Sequence, residues 1–211
     1  MAHDFYSPVP VLDTNKRSFA EVLESSLHTW KAQSWRWDNF PQFGSLVTIT
    51  TPERTVFGIV YQIQTGSLDQ ARSPFPFGKT EEELLREQPQ IFAFLQTTFQ
   101  CLTVGYLQNG KILYQWAPEP PKIHAFVSQA TPEQYEQFFA SEQYIHILFG
   151  ISQQVLNLDE LFLAILKKLF DQKMLTQPHL CRFIETFSLL TGNDYRRLKL
   201  FLQRATIFVS Y

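Results

Sequence analysis

Little of this sequence is charged: Asp, Glu, Lys and Arg make up 18% of its 211 residues, and the net charge is -2. That balance supplies none of the broad basic surface on which capture of nucleic acid or of an anionic membrane depends. Cysteine is nearly absent. Cys101 and Cys181 lie in different halves of the chain with no CxxC, which excludes a disulfide framework and a cysteine zinc site. Both have apolar neighbours, so each is expected to be a buried free thiol. Glycine is sparse at 8 residues, and neither GxxxxGK[ST] nor GxGxxG occurs, so the backbone cradle that holds nucleotide phosphates has no template. The histidines His3, His28, His124, His146 and His179 never pair at the spacing of metal ligands on one helix or strand, and there is no GxSxG elbow. No long apolar run exists either. The N-terminus MAHDFYSPVPVLD lacks a signal-peptide core, and the apolar stretch from Leu158 to Phe170 is too short to span a bilayer and holds Lys167 and Lys168. These absences lead to the expectation of a soluble cytoplasmic protein without metal, cofactor or catalytic residues.

Three fragments come close to a chemical motif and are better explained structurally. Phe77-Gly78-Lys79-Thr80 ends like a phosphate loop but lacks the earlier glycine; it reads as a loop entering a helix capped by Thr80. Cys101 and His124 could face each other as a nucleophile and its base, yet Phe99, Leu102 and Val104 around the cysteine point to a small buried thiol. The acids at Glu81 to Glu83 and at Asp159-Glu160 fall where helices begin, and there they complement the helix dipole.

What the chain has is apolar bulk. Hydrophobic residues make up 45% of it and 20 residues are Phe. Phe has no polar tip, so most should be buried, and any group left outside would mark a partner surface. Residues 1–17 read as an irregular arm with Pro8 and Pro10. Ser18 to Ser26 reads as a short helix, with Ser18 as cap and Glu21 completing a capping box. In Leu27 to Trp37 the aromatics alternate with polar residues, as in a strand. Ser45 to Thr50 and Thr55 to Gln64 form the clearest strand pair, turned by Thr51-Pro52-Glu53-Arg54, and Gly58 in mid-strand predicts a bulge or a close approach. Residues 66–79 read as a loop, followed by a short helix that Pro89 ends. Phe99 to Leu107 and Lys111 to Ala117 should form a hairpin around Asn109-Gly110, and Lys122 to Val127 adds a further strand.

The pattern changes at Thr131-Pro132, a helix start. Leu158, Leu161, Phe162, Ile165, Leu166 and Leu169 recur at helical spacing, as do Leu180, Phe183, Ile184 and Phe187, and then Leu198, Phe201, Leu202, Ala205, Phe208 and Val209. Gly192-Asn193 separates the last two helices. The expected organisation is an arm and short helix over 1–26, a β-barrel-like domain over 27–130 and a helical domain over 131–211. The fold class is α+β: a small antiparallel β-barrel in the N-terminal half, whose closure hides its sheet edges, and a helical C-terminal third. From Leu158 onward eight Lys and Arg face five Asp and Glu. Arg196, Arg197, Lys199 and Arg204 stand outside the apolar stripe of the last helix, which makes them the candidate partner-binding residues, either as a solvated face or as a patch for an acidic partner.

The segment from Phe40 to Tyr106 resembles a known family. Phe-Pro-Gln-Phe-Gly-Ser-Leu-Val-Thr-Ile, Val-Phe-Gly-Ile-Val-Tyr-Gln-Ile, Arg-Ser-Pro-Phe-Pro-Phe-Gly-Lys-Thr-Glu-Glu-Glu-Leu, Gln-Pro-Gln-Ile-Phe and Thr-Val-Gly-Tyr are similar to the HAS barrel, found in front of HerA-type helicases and of ATP-synthase catalytic subunits and, alone, in cyanobacterial proteins. Gly44, Gly58-Ile59-Val60 and Gly105 match its glycine positions. The resemblance covers about a third of the chain and implies a barrel that contacts neighbouring subunits while an attached motor does the chemistry. No motor follows here and the segment has no catalytic residues to carry over. The implied role is therefore a non-enzymatic protein-interaction or assembly module, accessory to an oligomeric NTPase or a photosynthesis-related complex, with a protein partner or self-association. The alternatives are an enzyme whose site is assembled from distant residues and a nucleic-acid-binding accessory factor using the terminal basic helix. The net negative charge argues against the latter.

Overall fold

Strand-forming residues dominate the first part of the chain, and the computed structural model, which describes residues 17–69, 75–155, 157–192 and 194–205, folds them into a barrel. The strands are β1 (Ser18–Ser25), β2 (Thr29–Ser34), β3 (Leu46–Thr50), β4 (Thr55–Ser67), β5 (Leu95–Gln108), β6 (Lys111–Leu113) and β7 (Phe126–Gln129). They run in the order β2-β1-β7-β3-β4-β5, all antiparallel, and β5 pairs back onto β2 through Thr98 to Leu102. Six strands thus close the barrel, and β6 hangs outside on the last residues of β5.

Period-two alternation sorts the side chains of β3, β4 and β5 into two cores. Val47, Ile49, Val60, Phe99 and Cys101 point into the barrel, where Phe19, Trp30 and Val127 meet them. Leu46, Phe57, Ile59, Leu102 and Val104 point outward and are buried under the helices. Those helices are α2 (Pro132–Phe139), α3 (Gln143–Gly150), α4 (Leu158–Asp171), α5 (Gln177–Leu190) and α6 (Tyr195–Ala205); α1 (Glu81–Glu87) lies in the β4–β5 connection. The outer core therefore joins residues from both sides of residue 130. Leu46 makes the seam: its carbonyl accepts from the Ala130 amide at 3.2 Å and its amide donates to the Tyr135 hydroxyl at 2.8 Å.

Local chemistry explains most boundaries. Asn109 (φ 51°) and Gly110 (φ 75°) both take the left-handed conformation that a tight hairpin needs. Thr80 and Thr131 open α1 and α2 with complete capping boxes, and Asn157 caps α4. Gly58 sits at a register shift, and a Cβ there would lie 2.5 Å from the Trp30 ring. Gly44 (φ 76°) brings the start of β3 so close to α4 that a Cβ would lie 2.8 Å from that of Ala164.

Four expectations are corrected. Ser18 to Ser26 is not a helix but β1, because Ala20 and Val22 become barrel interior and the strand gains partners on both sides. Tertiary pairing outweighs a local capping pattern. The hairpin return stops at Leu113 rather than Ala117, where the Tyr114 hydroxyl turns to donate to the Phe138 carbonyl at 2.5 Å. The strand placed at Lys122 to Val127 begins only at Phe126, since His124 (φ 64°) breaks the extended run. Cys101 is buried and free as expected, but Cys181, also free, is exposed on α5. Residues 1–16 of the arm expected over 1–17, Asn193 and the last apolar positions Phe208 and Val209 lie outside the described residues.

Candidate functional site

The four basic residues of α6 do not act as one patch. Arg197 reaches the first turn of α4, where its Nη2 lies 2.5 Å and its Nε 3.1 Å from Asp159, and its guanidinium stacks over the rings of Phe149 and Phe187. Arg204 makes a bidentate pair with Glu160 at 2.6 and 2.9 Å. Each acid holds its arginine's pKa up, and Arg204 holds the Glu160 carboxyl below its ordinary range. Asp159 and Glu160 thus do more than complement a dipole: they fasten α6 to α4. Arg196 and Lys199 stay exposed on the outer side. Two of the four predicted residues are spent inside the molecule, and no hint of that is present in the spacing of α6 alone.

The motif fragments are structural as well. Lys79 pairs with Glu87 across α1, and Thr80 exchanges hydrogen bonds with Glu83, whose carboxyl is held down by them. Burial pushes the Cys101 thiol well up, away from the thiolate that nucleophilic attack needs. Among the described residues no three His, Cys, Asp or Glu side chains converge on a metal-sized point.

A hollow of about 810 Å³ lies in the barrel wall. Pairing between β3 and β7 ends at Thr48, while β3 continues to Thr50 and the chain before β7 swings toward β1. Arg17, Thr48, Thr50, Lys122, His124 and Ser128 line the gap. Much of its polar capacity is already used: the Ser18 and Ser128 hydroxyls pair at 2.9 Å, those of Thr50 and Thr55 at 3.1 Å, and the Glu133 carboxyl is held down chiefly by the Thr131 side chain, with Arg17 adding a lesser share. The hollow offers hydrogen-bond donors and cations, and its lining presents no carboxylate base beside a nucleophile.

Part of the exposed apolar surface lies on the connection between two strands. β4 and β5 form a ribbon whose register runs to Ser67 opposite Leu95, and the connection between them holds α1 and a 3-10 turn at Pro89–Phe94. No described residue from Leu68 to Phe94 is buried. Phe75 is 72% exposed, Leu68 54%, Phe94 50% and Leu85 49%. Phe75 and Phe77 meet edge to face at 5.7 Å, and Phe92 stacks on Trp37 at 5.6 Å, which ties the turn to the loop after β2. Fully burying one such side chain is worth about 1.5–3 kcal/mol. Several of them on one connection at the end of a ribbon make a surface suited to a protein partner. The sequence pattern places Phe75 and Phe77 in a loop but does not show that the loop stands clear of both cores.

Residues 36–109 match the HAS barrel domain. The match takes in β3, β4 and β5 together with the exposed connection, and leaves β1, β2 and β7 outside it. No curated protein matches the chain.

Proposed function

We propose that this protein is a non-enzymatic interaction module that binds a protein partner through the end of its β4–β5 ribbon. The observation that carries the reading is the group of exposed apolar side chains Leu68, Phe75, Phe77, Leu85 and Phe94 in one connection that contributes nothing to either core. A rigid barrel presents this connection at a fixed place, and the helices brace the outer wall of the same three strands. The resemblance to barrels that stand in front of ring-forming motors makes an oligomeric NTPase the first partner to test, with a photosynthesis-related complex next. The acidic first turn of α1, Glu81 to Glu83, favours a basic rim on that partner.

The test is retention of a stoichiometric partner from native extract by the full chain and by Phe75→Ser and Phe94→Ser variants. Both side chains are exposed, so the variants should melt at the wild-type temperature. Loss of the partner with melting unchanged supports the reading; a partner held equally by all three proteins moves the site elsewhere on the surface.

A further inference from the structure

The hollow in the barrel wall opens outward. Val47 and Ile49 point into the barrel, so Thr48 and Thr50, which line the hollow, stand on the outer face of β3. Part of the lining is apolar: Pro52, Ile123 and Phe126 belong to it, and Ile123 and Phe126 are 50% and 42% exposed. Phe126 meets the exposed Trp35 edge to face at 5.5 Å, which extends the apolar side along the surface. At about 810 Å³ the hollow has the size of a small-molecule site.

Its charge has one sign. Arg17, Lys122 and His124 line it, and among the described lining residues none is Asp or Glu. Glu133, held first by Thr131, takes up part of the Arg17 charge. Among the described residues, the Lys122 ammonium and the His124 imidazole meet no hydrogen-bond or ion-pair partner. Glu53 and Glu119 lie around the neighbouring cleft that shares Lys122, yet neither pairs with it.

One chain reversal places both groups. The Ala125 amide donates to the Lys122 carbonyl at 3.0 Å and the His124 amide to the Val22 carbonyl at 2.9 Å, which pins the reversal to β1. His124 takes φ 64° there, a left-handed conformation that a Cβ disfavours. Glycine or asparagine would make the same turn at lower cost. What the histidine adds is a ring N–H in the lining of the hollow.

We propose that this hollow binds a small phosphate monoester carried on an apolar body. Charge and shape decide the ligand. A guanidinium, an ammonium and a ring N–H can all donate to the three free oxygens of a phosphate dianion, whereas a carboxylate brings a single charge and two oxygens to the same group. A concave site of this volume encloses a small molecule, and Ile123 and Phe126 supply apolar contact for its carbon body. The hollow is separate from the partner surface proposed above, and neither depends on the other.

Calorimetric titration of the full chain with 1-naphthyl phosphate tests it, beside inorganic phosphate, 1-naphthoate and 1-naphthol. The expected result is one ester bound per chain, about tenfold more tightly than any of the three comparison compounds, with NMR amide shifts gathered at residues 122–128 and at Thr48 to Thr51. Lys122→Gln and His124→Asn should each weaken binding by about fivefold or more, and asparagine keeps the left-handed turn. Both side chains are exposed, so both variants should melt with the wild type. The amide shifts of the unaltered chain keep the test open should either variant melt early. Absence of binding at millimolar ester overturns the proposal. So do shifts gathered elsewhere, binding that both variants leave unchanged, or any comparison compound binding as tightly as the ester.

Discussion

The hydroxyl of Tyr135 accepts the amide proton of Leu46 at 2.8 Å, 89 residues apart in the sequence. That bond ties the first residue of β3 to the first turn of α2, and both groups are buried. Replacing Tyr135 with Phe leaves the ring in place and the amide without a partner. The expected loss is about 1–3 kcal/mol, read as a lower urea midpoint with unchanged slope. Equal stability would mean that the amide is satisfied by water.

Gly58 is the point where the barrel is tightest. An added methyl would stand 2.5 Å from the Trp30 ring and 3.1 Å from the Cys101 Cβ, and both neighbours sit in the packed interior. Gly58→Ala should cost about 1–3 kcal/mol by overpacking, measured by thermal melting. Trp30→Phe in the same chain should recover part of the loss, because the smaller ring vacates the contact.

Acid should loosen α6 before it loosens the barrel. Arg204 holds the Glu160 carboxyl below its ordinary range. A depressed carboxylate contributes stability that is present above its unfolded pKa, about 4.3, and is lost as pH falls through the lower folded value. Glu160→Gln should therefore be less stable than wild type at neutral pH, and the two should converge below about pH 4. Exchange rates of the α6 amides across that range would show it; a difference that persists in acid would assign the effect to shape rather than charge.

The two thiols should report folding separately. Cys181 is exposed and Cys101 is buried with its thiol pushed up. A thiol reagent should label Cys181 in the native protein and reach Cys101 only after denaturation. Rapid native labelling of Cys101 would mean that the β2–β5 closure opens readily.

Much of this fold is legible in the sequence because local chemistry decides it. Asn109-Gly110, the threonine capping boxes and the periodic leucines of α4 each act within a few residues. Gly58 was readable as a crowded position, though not that Trp30 does the crowding. β1 was not readable, since Ser18 and Glu21 make a sound helix start and only the distant partners β2 and β7 make the segment a strand. The basic residues of α6 illustrate the same limit at the surface. Arg196 and Arg197 are neighbours of one type, and only the packing of α6 against α4 makes the second a fastener. The exposed phenylalanines were countable but not separable from the buried ones until the ribbon carried them away from the core.

The barrel closes through strands that the family match does not reach. β3, β4 and β5 carry the recognisable sequence, yet β1, β2 and β7 supply the other half of the wall, and β7 arrives only at residues 126–129. A chain ending at residue 109 would lack β7 and present the edges of β3 and β1 that β7 covers to solvent, with the barrel interior open between them. On a ribosome the same holds in time: the nascent module must wait, unclosed, until its last strand has emerged. The segment that matches a known domain is thus smaller than the unit that has to fold.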